Sequence, residues 1–358
     1  MQWTGGACLS LQDMPDLWLG ALRMTATEFS VIDERRRGTQ FLELTCRSII
    51  NTPESTNMEF WSINPYVGCE FGCSYCYARF AHNYVVDRAR SRGRLSVPLG
   101  PEPFEQRIFV KRRSSVLRAL DTDLRKLRRR TVRDGTQTLL IGSSTDPYQP
   151  AERLYQITRT ILDRLRAERG IRIGIITKSP LICRDIDLLK ALARRNLVSV
   201  YISLISADIN IIKRFEARSP MPHVRLRALD KLTRNGIRAG LLVAPILPGI
   251  TDTVQQIELL MSEARVAGAH FAHPVPLRMY SDTRERVLPI LASAYPGLVA
   301  RYRANYDKDQ NVPDTYLDAL RTRFRDIGQR FGIEDTGTER DYTKAPKPPS
   351  TQLTFWKL

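Results

Sequence analysis

Cys69, Cys73 and Cys76 lie within eight residues, in the run Gly68-Cys69-Glu70-Phe71-Gly72-Cys73-Ser74-Tyr75-Cys76-Tyr77. The spacing is C-x3-C-x2-C, with an aromatic, Tyr75, just before the last cysteine. Thiolates at such spacing bind soft metals. Structural zinc sites and most ferredoxin-type clusters take four protein ligands, and this loop offers three. One solution is a zinc knuckle completed by His82. The other is a cubane [4Fe-4S] cluster with three irons on the three thiolates and a fourth iron open to a non-protein ligand.

A loop of this kind needs a scaffold, and the rest of the chain patterns as one. Short β-rich runs fall at Phe60–Tyr66, Thr138–Gly142, Ile171–Thr177, Val198–Ser203, Arg238–Ala244 and Ala269–His273. Helical patterns fall at Cys76–Val86, Glu152–Glu168, Asp185–Arg194, His223–Asn235 and Thr251–Ala267. Strands alternating with helices of this length argue for βαβ units and a parallel α/β sheet. Periodicity alone does not separate a barrel from an open doubly wound sheet. In either, ligands sit beyond the carboxyl ends of the strands, and the cysteine loop follows the first strand. Residues 1–55 pattern weakly and are expected as an N-terminal extension, residues 56–280 as the core, 281–332 as a helical segment and 333–358 as a flexible tail.

Composition bounds the function. The 358 residues carry 55 Lys and Arg against 38 Asp and Glu, a formal charge of +17. Between Arg88 and Arg133 there are 15 basic and 4 acidic residues. Part of this excess lies on a helix expected over Ser114–Arg130. There Val116, Leu117, Leu120, Leu124 and Leu127 recur at core spacing, and Arg118, Arg125, Lys126, Arg128, Arg129 and Arg130 line the outer face. That face is either solvated or a polyanion-binding surface. No run approaches the roughly 20 apolar residues that span a bilayer. Asp13 and Asp16 interrupt the apolar residues of the N-terminus, unlike a signal peptide. Six cysteines, half of them clustered, indicate metal or redox work in a reducing cytosol rather than a disulfide scaffold.

The cysteine spacing with Tyr75 resembles that of the radical S-adenosylmethionine (radical SAM) superfamily. The resemblance implies a partial (β/α)6 barrel, a [4Fe-4S] cluster on Cys69, Cys73 and Cys76, and S-adenosylmethionine as the ligand of the open iron. In this family an electron from outside, carried by a flavodoxin- or ferredoxin-type donor, drives cleavage to methionine and a 5′-deoxyadenosyl radical. Further segments resemble the spore photoproduct lyase-like branch: Thr145-Asp146-Pro147-Tyr148-Gln149-Pro150-Ala151-Glu152 after the second strand, Thr177-Lys178-Ser179 after the third, and Glu216-Ala217-Arg218 after the fourth. On that resemblance Tyr75 borders the cofactor's adenine and Ser143 or Ser144 binds its amino group. Asp146, Lys178 and Ser203 join the pocket, Arg218 takes the carboxylate, and Ala244 lies against the adenine. Cys183, in the loop after the third strand, is either a buried small side chain or a group that meets substrate. Spore photoproduct lyase uses a hydrogen-donor cysteine some tens of residues beyond its cluster motif. This chain has none between Cys76 and Cys183, so thymine-dimer repair by that route is not expected.

The expected substrate is a macromolecule. Nucleic acid is favoured by the basic segment and the branch resemblance; a peptide served by a small partner protein is the alternative. The C-terminal Gln352-Leu353-Thr354-Phe355-Trp356 loosely resembles peptides that dock on bacterial sliding clamps, and the Pro-rich run before it reads as a semi-rigid spacer.

Overall fold

The computed structural model of the chain describes residues 31–35, 38–56, 58–79, 104–135, 137–306 and 311–335. Residues 80–86 of the helix expected over Cys76–Val86, His82 among them, and Gln352–Trp356 lie outside them.

In chain order the strands are β1 (Val31–Glu34), β2 (Gln40–Leu44), β3 (Ile50–Asn51), β4 (Trp61–Ile63), β5 (Tyr66–Val67), β6 (Arg107–Lys111), β7 (Thr138–Ile141), β8 (Arg172–Thr177), β9 (Leu197–Ser203), β10 (Ala239–Ile246), β11 (Phe271–Pro276) and β12 (Glu334–Asp335). The helices are α1 (Pro53–Thr56), α2 (Arg113–Asp134), α3 (Glu152–Tyr155), α4 (Ile157–Leu165), α5 (Ile186–Ala193), α6 (Ile209–Phe215), α7 (Pro222–Arg234), α8 (Val254–Val266), α9 (Ser281–Ala294), α10 (Val299–Tyr306) and α11 (Asp314–Arg330). A 3-10 turn at Pro180–Asp185 precedes α5.

Six strands, β4, β7, β8, β9, β10 and β11, run parallel in that spatial order. They are the six expected from the sequence, arranged as the partial barrel. β3 pairs antiparallel at one edge, and β12 pairs parallel with β11 at the other. Alternation along each strand divides the core in two. Ile141, Ile173, Ile175, Val200, Ile202, Leu241 and Val243 belong to the large core that also takes the helices' apolar faces. Leu140, Tyr201, Leu242 and Phe271, with Ile176, Ala244 and Val275, form a separate inner cluster that fills the barrel. Continuing the inner rows two residues onward reaches Lys178 from Ile176, Ser203 from Tyr201 and Ala244 from Leu242. The period of two therefore delivers these side chains to the barrel mouth.

A second sheet, in the order β1-β2-β6-β5, was not legible in the sequence. It joins residues 31–44 of the expected extension to β5, the strand that leads directly into the cysteine loop. Its apolar rows are interrupted by Arg107 and Lys111, both buried, and so do not read as strands. Lys111 Nζ donates to the Asn64 carbonyl at 2.5 Å, which satisfies it.

Helix ends also departed from expectation, for local reasons. The helix expected over Glu152–Glu168 breaks at Gln156, which is left-handed at φ 51°. The fully buried Glu152 carboxylate accepts from the Thr158 and Arg159 amides at 2.9 and 3.0 Å and so caps the second piece. Tyr66 Oη and Arg184 complete its shell. Among its described residues the 281–332 segment holds three α-helices, with Pro296 and Pro313 at the interruptions.

Asp123, 3% exposed on α2, anchors the N-terminal strands to the barrel. One of its oxygens accepts from the Ile49 and Ile50 amides and from Ser48 Oγ at 2.8, 3.1 and 2.8 Å. Replacing it leaves these donors without their acceptor, two of them on the backbone of buried residues. Asp123→Ala is expected to lower stability by about 3 kcal/mol in urea titration. Asp121→Ala on the same helix removes only a half-exposed pair with Arg164 and is expected to cost no more than about 1 kcal/mol.

Candidate active site

The cysteine loop leaves β5 through Gly68, whose φ of 90° and surroundings admit no side chain. A Cβ there would stand 2.5 Å from the Arg107 carbonyl. Neighbouring loops brace the turn. Gly68 O accepts from Thr145 Oγ1 at 2.7 Å and Gln149 Nε2 at 3.2 Å. The Glu70 amide donates to Gln149 Oε1, and Glu70 Oε1 accepts from the Ala151 amide. On the far side the Ser74 amide donates to the Phe215 carbonyl at the end of α6, at 3.0 Å. The Thr-Asp-Pro-Tyr-Gln segment is therefore largely a brace for the cysteine loop.

Cys69 and Cys73 are buried and Cys76 partly so. Burial pushes all three thiols up, Cys73 to about 12. Among the described residues, no three His, Cys, Asp or Glu side chains converge as ligands of a single metal ion. A cubane's three thiolates bind three different irons and need not converge on one point. Lys178 and Arg79 lie close enough to favour thiolates electrostatically. The donor set fits an iron–sulfur cluster with one open iron.

Facing the loop is a buried charge network. Tyr75 Oη donates to Glu216 Oε1. Lys178 Nζ donates to Tyr75 Oη at 3.2 Å, to Ser203 Oγ at 2.7 Å and to Glu216 Oε1 at 3.2 Å. Arg225, fully buried, pairs with Glu216 Oε2 and donates to the Ser203 and Pro220 carbonyls at 2.8 and 2.7 Å. Burial alone would raise the Glu216 carboxyl; the Arg225 and Lys178 cations overcome it and hold it down at about 2. Ser219 Oγ lies 3.7 Å from Cys73 Sγ.

The structure brings Tyr75, Lys178 and Ser203 together and sets Ala244 in the same inward row. Ser143 and Ser144 lie across the mouth, held by Asn64. Asn64 Nδ2 donates to Ser143 Oγ at 3.1 Å, and Asn64 Oδ1 accepts from the Ser144 amide at 2.9 Å. The Ser144 hydroxyl makes no hydrogen bond among the described residues. Asp146 is taken up in positioning: its oxygens accept from Thr177 Oγ1, the Tyr148 amide and the Lys178 amide at 2.7, 2.8 and 2.7 Å. Arg218 is exposed and stands apart from the Glu216 network. The Cys183 thiol donates to the Ala228 carbonyl on α7 at 3.6 Å and packs on the large core. Sequence reasoning missed Asn64 and Arg225. Arg225 had a signal: with Leu229 and Leu232 it makes an i, i+4, i+7 row, so it sits on the buried face of α7. Asn64, a lone amide after a strand, had none.

The sequence profile of the Radical SAM superfamily matches residues 63–261. The chain belongs to that superfamily. It is therefore an enzyme, and its cofactors are a [4Fe-4S] cluster and S-adenosylmethionine. It is 31% identical over 356 residues to protein Rv2578c of Mycobacterium tuberculosis, which spans 98% of this chain and 97% of that one. It is 27% identical over 206 residues to MJ0683 of Methanocaldococcus jannaschii, 57% of this chain and 65% of that one. Spore photoproduct lyase complexed with dinucleoside spore photoproduct superposes with a TM-score of 0.57 at 15% identity, over 77% of this chain and 75% of that one, a likeness of fold.

The depressed Glu216 carboxyl gives a signed pH effect. Its contribution to stability is present in full above the unfolded value near 4.5 and is lost as pH falls toward about 2. Arg225→Met should diminish that contribution by leaving Lys178 as the one cation paired with the buried carboxylate. It is expected to cost about 3–5 kcal/mol at pH 7 and to flatten the acid limb of melting temperature against pH.

Proposed function

We propose that the enzyme cleaves S-adenosylmethionine reductively at the barrel mouth and directs the radical at a nucleic-acid strand. The observation that carries the first part is the placement of Cys69, Cys73 and Cys76 on one braced loop facing Lys178 and Ser203. When bound, the cluster and S-adenosylmethionine supply a 5′-deoxyadenosyl radical able to abstract a hydrogen atom. The chain's own residues bind, orient and exclude water. Glu216 and Arg225 are fully buried, whereas the Lys178 side chain is 12% exposed, so Lys178 is the member of the network that meets the cavity. Its ammonium suits the cofactor's carboxylate, and the Ser144 hydroxyl can accept from the amino group. Ala244, the last member of its inward row, suits the adenine face, next to Tyr75.

Tyr77 supports nucleic acid as the substrate. It follows Cys76, is 38% exposed, and donates to the Ser143 carbonyl. Arg278 and Tyr280, just past the end of β11, are its charged and phenolic neighbours. Arg278 is exposed and makes no ion pair among the described residues. Aromatic rings beside a free guanidinium are the components on which single strands stack and pair their phosphates. The formal charge of +17 favours a polyanion. The dinucleoside bound by spore photoproduct lyase accords with this reading. Helix α2 contributes less than its composition suggests. Arg128 pairs with Glu168, and Arg130 with Glu54 and Asp134.

Anaerobic reconstitution is expected to load one cluster on the wild type and none on a triple Cys69/Cys73/Cys76→Ala variant, read by iron and sulfide content. With dithionite and S-adenosylmethionine the loaded protein should release 5′-deoxyadenosine; a fully loaded protein that releases none refutes the reading. Lys178→Met should raise the KM for S-adenosylmethionine by about tenfold or more, the scale of one lost charge-assisted contact, without changing cluster content. Single-stranded DNA or RNA should stimulate turnover, and Arg278→Ala should weaken that stimulation. Stimulation by peptides alone would assign the other substrate class.

A further inference from the structure

Radical generation at the mouth requires one electron per event, and the electron must arrive close to the cysteine loop because transfer falls steeply with distance. The outer side of that loop is packed against the end of α6. Ser74 donates to the Phe215 carbonyl through its amide at 3.0 Å and its hydroxyl at 3.2 Å, and Ser219 Oγ lies 3.7 Å from Cys73 Sγ. The segment that makes these contacts carries Lys213, Arg214 and Arg218, all exposed. Among the described residues Lys213 and Arg218 make no hydrogen bond or ion pair. Arg214 stacks on Tyr295, with its guanidinium 5.6 Å from the ring centroid. Two more cations border the loop. Arg35 is 39% exposed and pairs with Glu70, and Arg286 is 40% exposed beside Glu105. Glu70 and Glu105 are already in ion pairs, Glu105 with Arg79 as well. The excess on this face is therefore positive.

We propose that Lys213, Arg214 and Arg218, with Arg35 and Arg286 at the margin, form the docking surface for an acidic one-electron carrier protein. It rests on the radical-generating reading of the site. One electron leaves the reduced carrier, which is oxidised by one electron, and takes the cluster from 2+ to 1+; no heavy atom is exchanged. A cation at a helix C-terminus ordinarily complements the helix dipole, which accounts for one of Lys213 and Arg214. It does not account for Arg218, Arg35 and Arg286, which lie outside α6 and against the same loop. Electron-transfer encounters are small and transient and depend on charge complementarity for rate and orientation. A rim of exposed cations beside the cysteine loop supplies that. A nucleic acid would also bind cations, but its reacting atoms must reach the cavity side, where Tyr77 and Lys178 face.

The test uses full-length protein with a Lys213→Glu/Arg214→Glu variant and a milder Lys213→Gln/Arg214→Gln variant. The probe is a purified bacterial flavodoxin, an acidic flavin carrier. Binding is measured by titration calorimetry at two ionic strengths, with and without the reconstituted cluster, so the result does not depend on turnover. The charge reversal is expected to weaken flavodoxin binding at least tenfold and to remove its salt dependence, with the glutamine variant intermediate. Cluster bleaching by reduced flavodoxin should slow in the same order, while bleaching by dithionite stays unchanged. Flavodoxin binding unaltered by the reversal overturns the proposal. So does a variant that loses single-stranded DNA binding and keeps flavodoxin binding, since the face then belongs to the substrate. Loss of 5′-deoxyadenosine with dithionite in the wild type would refute the radical reading instead, and leaves the binding comparison intact.

Discussion

The barrel mouth is organised around one buried carboxylate. Glu216 receives Tyr75 from the cysteine loop, Lys178 from the end of β8 and Arg225 from α7, and Arg225 in turn holds the Ser203 carbonyl at the end of β9. Three separate stretches of chain are thus fixed directly to one buried side chain, and a fourth through Arg225 and Lys178. Removing a carboxylate from water is costly, and only close cations offset that cost. Two are present, which is why Glu216 stays ionised where burial alone would neutralise it.

Such a network adds little net stability compared with a well-packed apolar core. Its contribution is positional. Each partner has a fixed donor geometry, so Tyr75, and with it the cysteine loop, is set at one orientation to Lys178 and Ser203. The second anchor of the loop has the same character. Thr145, Gln149 and Glu70 interlock the loop with the β7–α3 connection through hydrogen bonds among buried groups. Burial raises the three thiols, and a cluster held between the two polar braces would take them as thiolates, their protons passing to solvent and its irons supplying the compensating charge.

Much of this was legible in the sequence because it depends on period and spacing. The six parallel strands were marked by apolar runs, and the cysteine motif by three residues in eight. Lys178, Ser203 and Ala244 fall at the mouth because each lies two residues beyond an inward-facing member of its strand. What was not legible depends on polar residues in apolar places. β6 hides behind the buried Arg107 and Lys111. The break at Gln156 follows from a carboxylate, Glu152, whose partners are 6 and 7 residues onward and on other elements. The resemblance put Arg218 at the cofactor's carboxylate and gave no role to Arg225, yet Arg225, 9 residues beyond Glu216 and brought around by α7, is the arginine buried against that glutamate. Helical phase, not adjacency to the motif, marks it.

The distribution of charge follows from the same contrast. On α2, where basic residues are densest in sequence, Arg128 and Arg130 reach acidic partners on neighbouring elements, and the helix face is part of an ion-pair lattice. Around the cysteine loop the acidic side chains Glu70 and Glu105 are buried or nearly so and consumed by Arg35 and Arg79. Lys213 and Arg218 are exposed and make no ion pair among the described residues, although Arg218 lies near enough to Glu70 to help hold its carboxyl down. Uncompensated cations outside the loop and compensated ones inside have opposite consequences. The inner set fixes geometry. The outer set fixes nothing in the fold and is free to steer one. On the proposed docking, the positively charged exterior beside the cluster loop would keep the path of the electron apart from the chamber in which the radical is used.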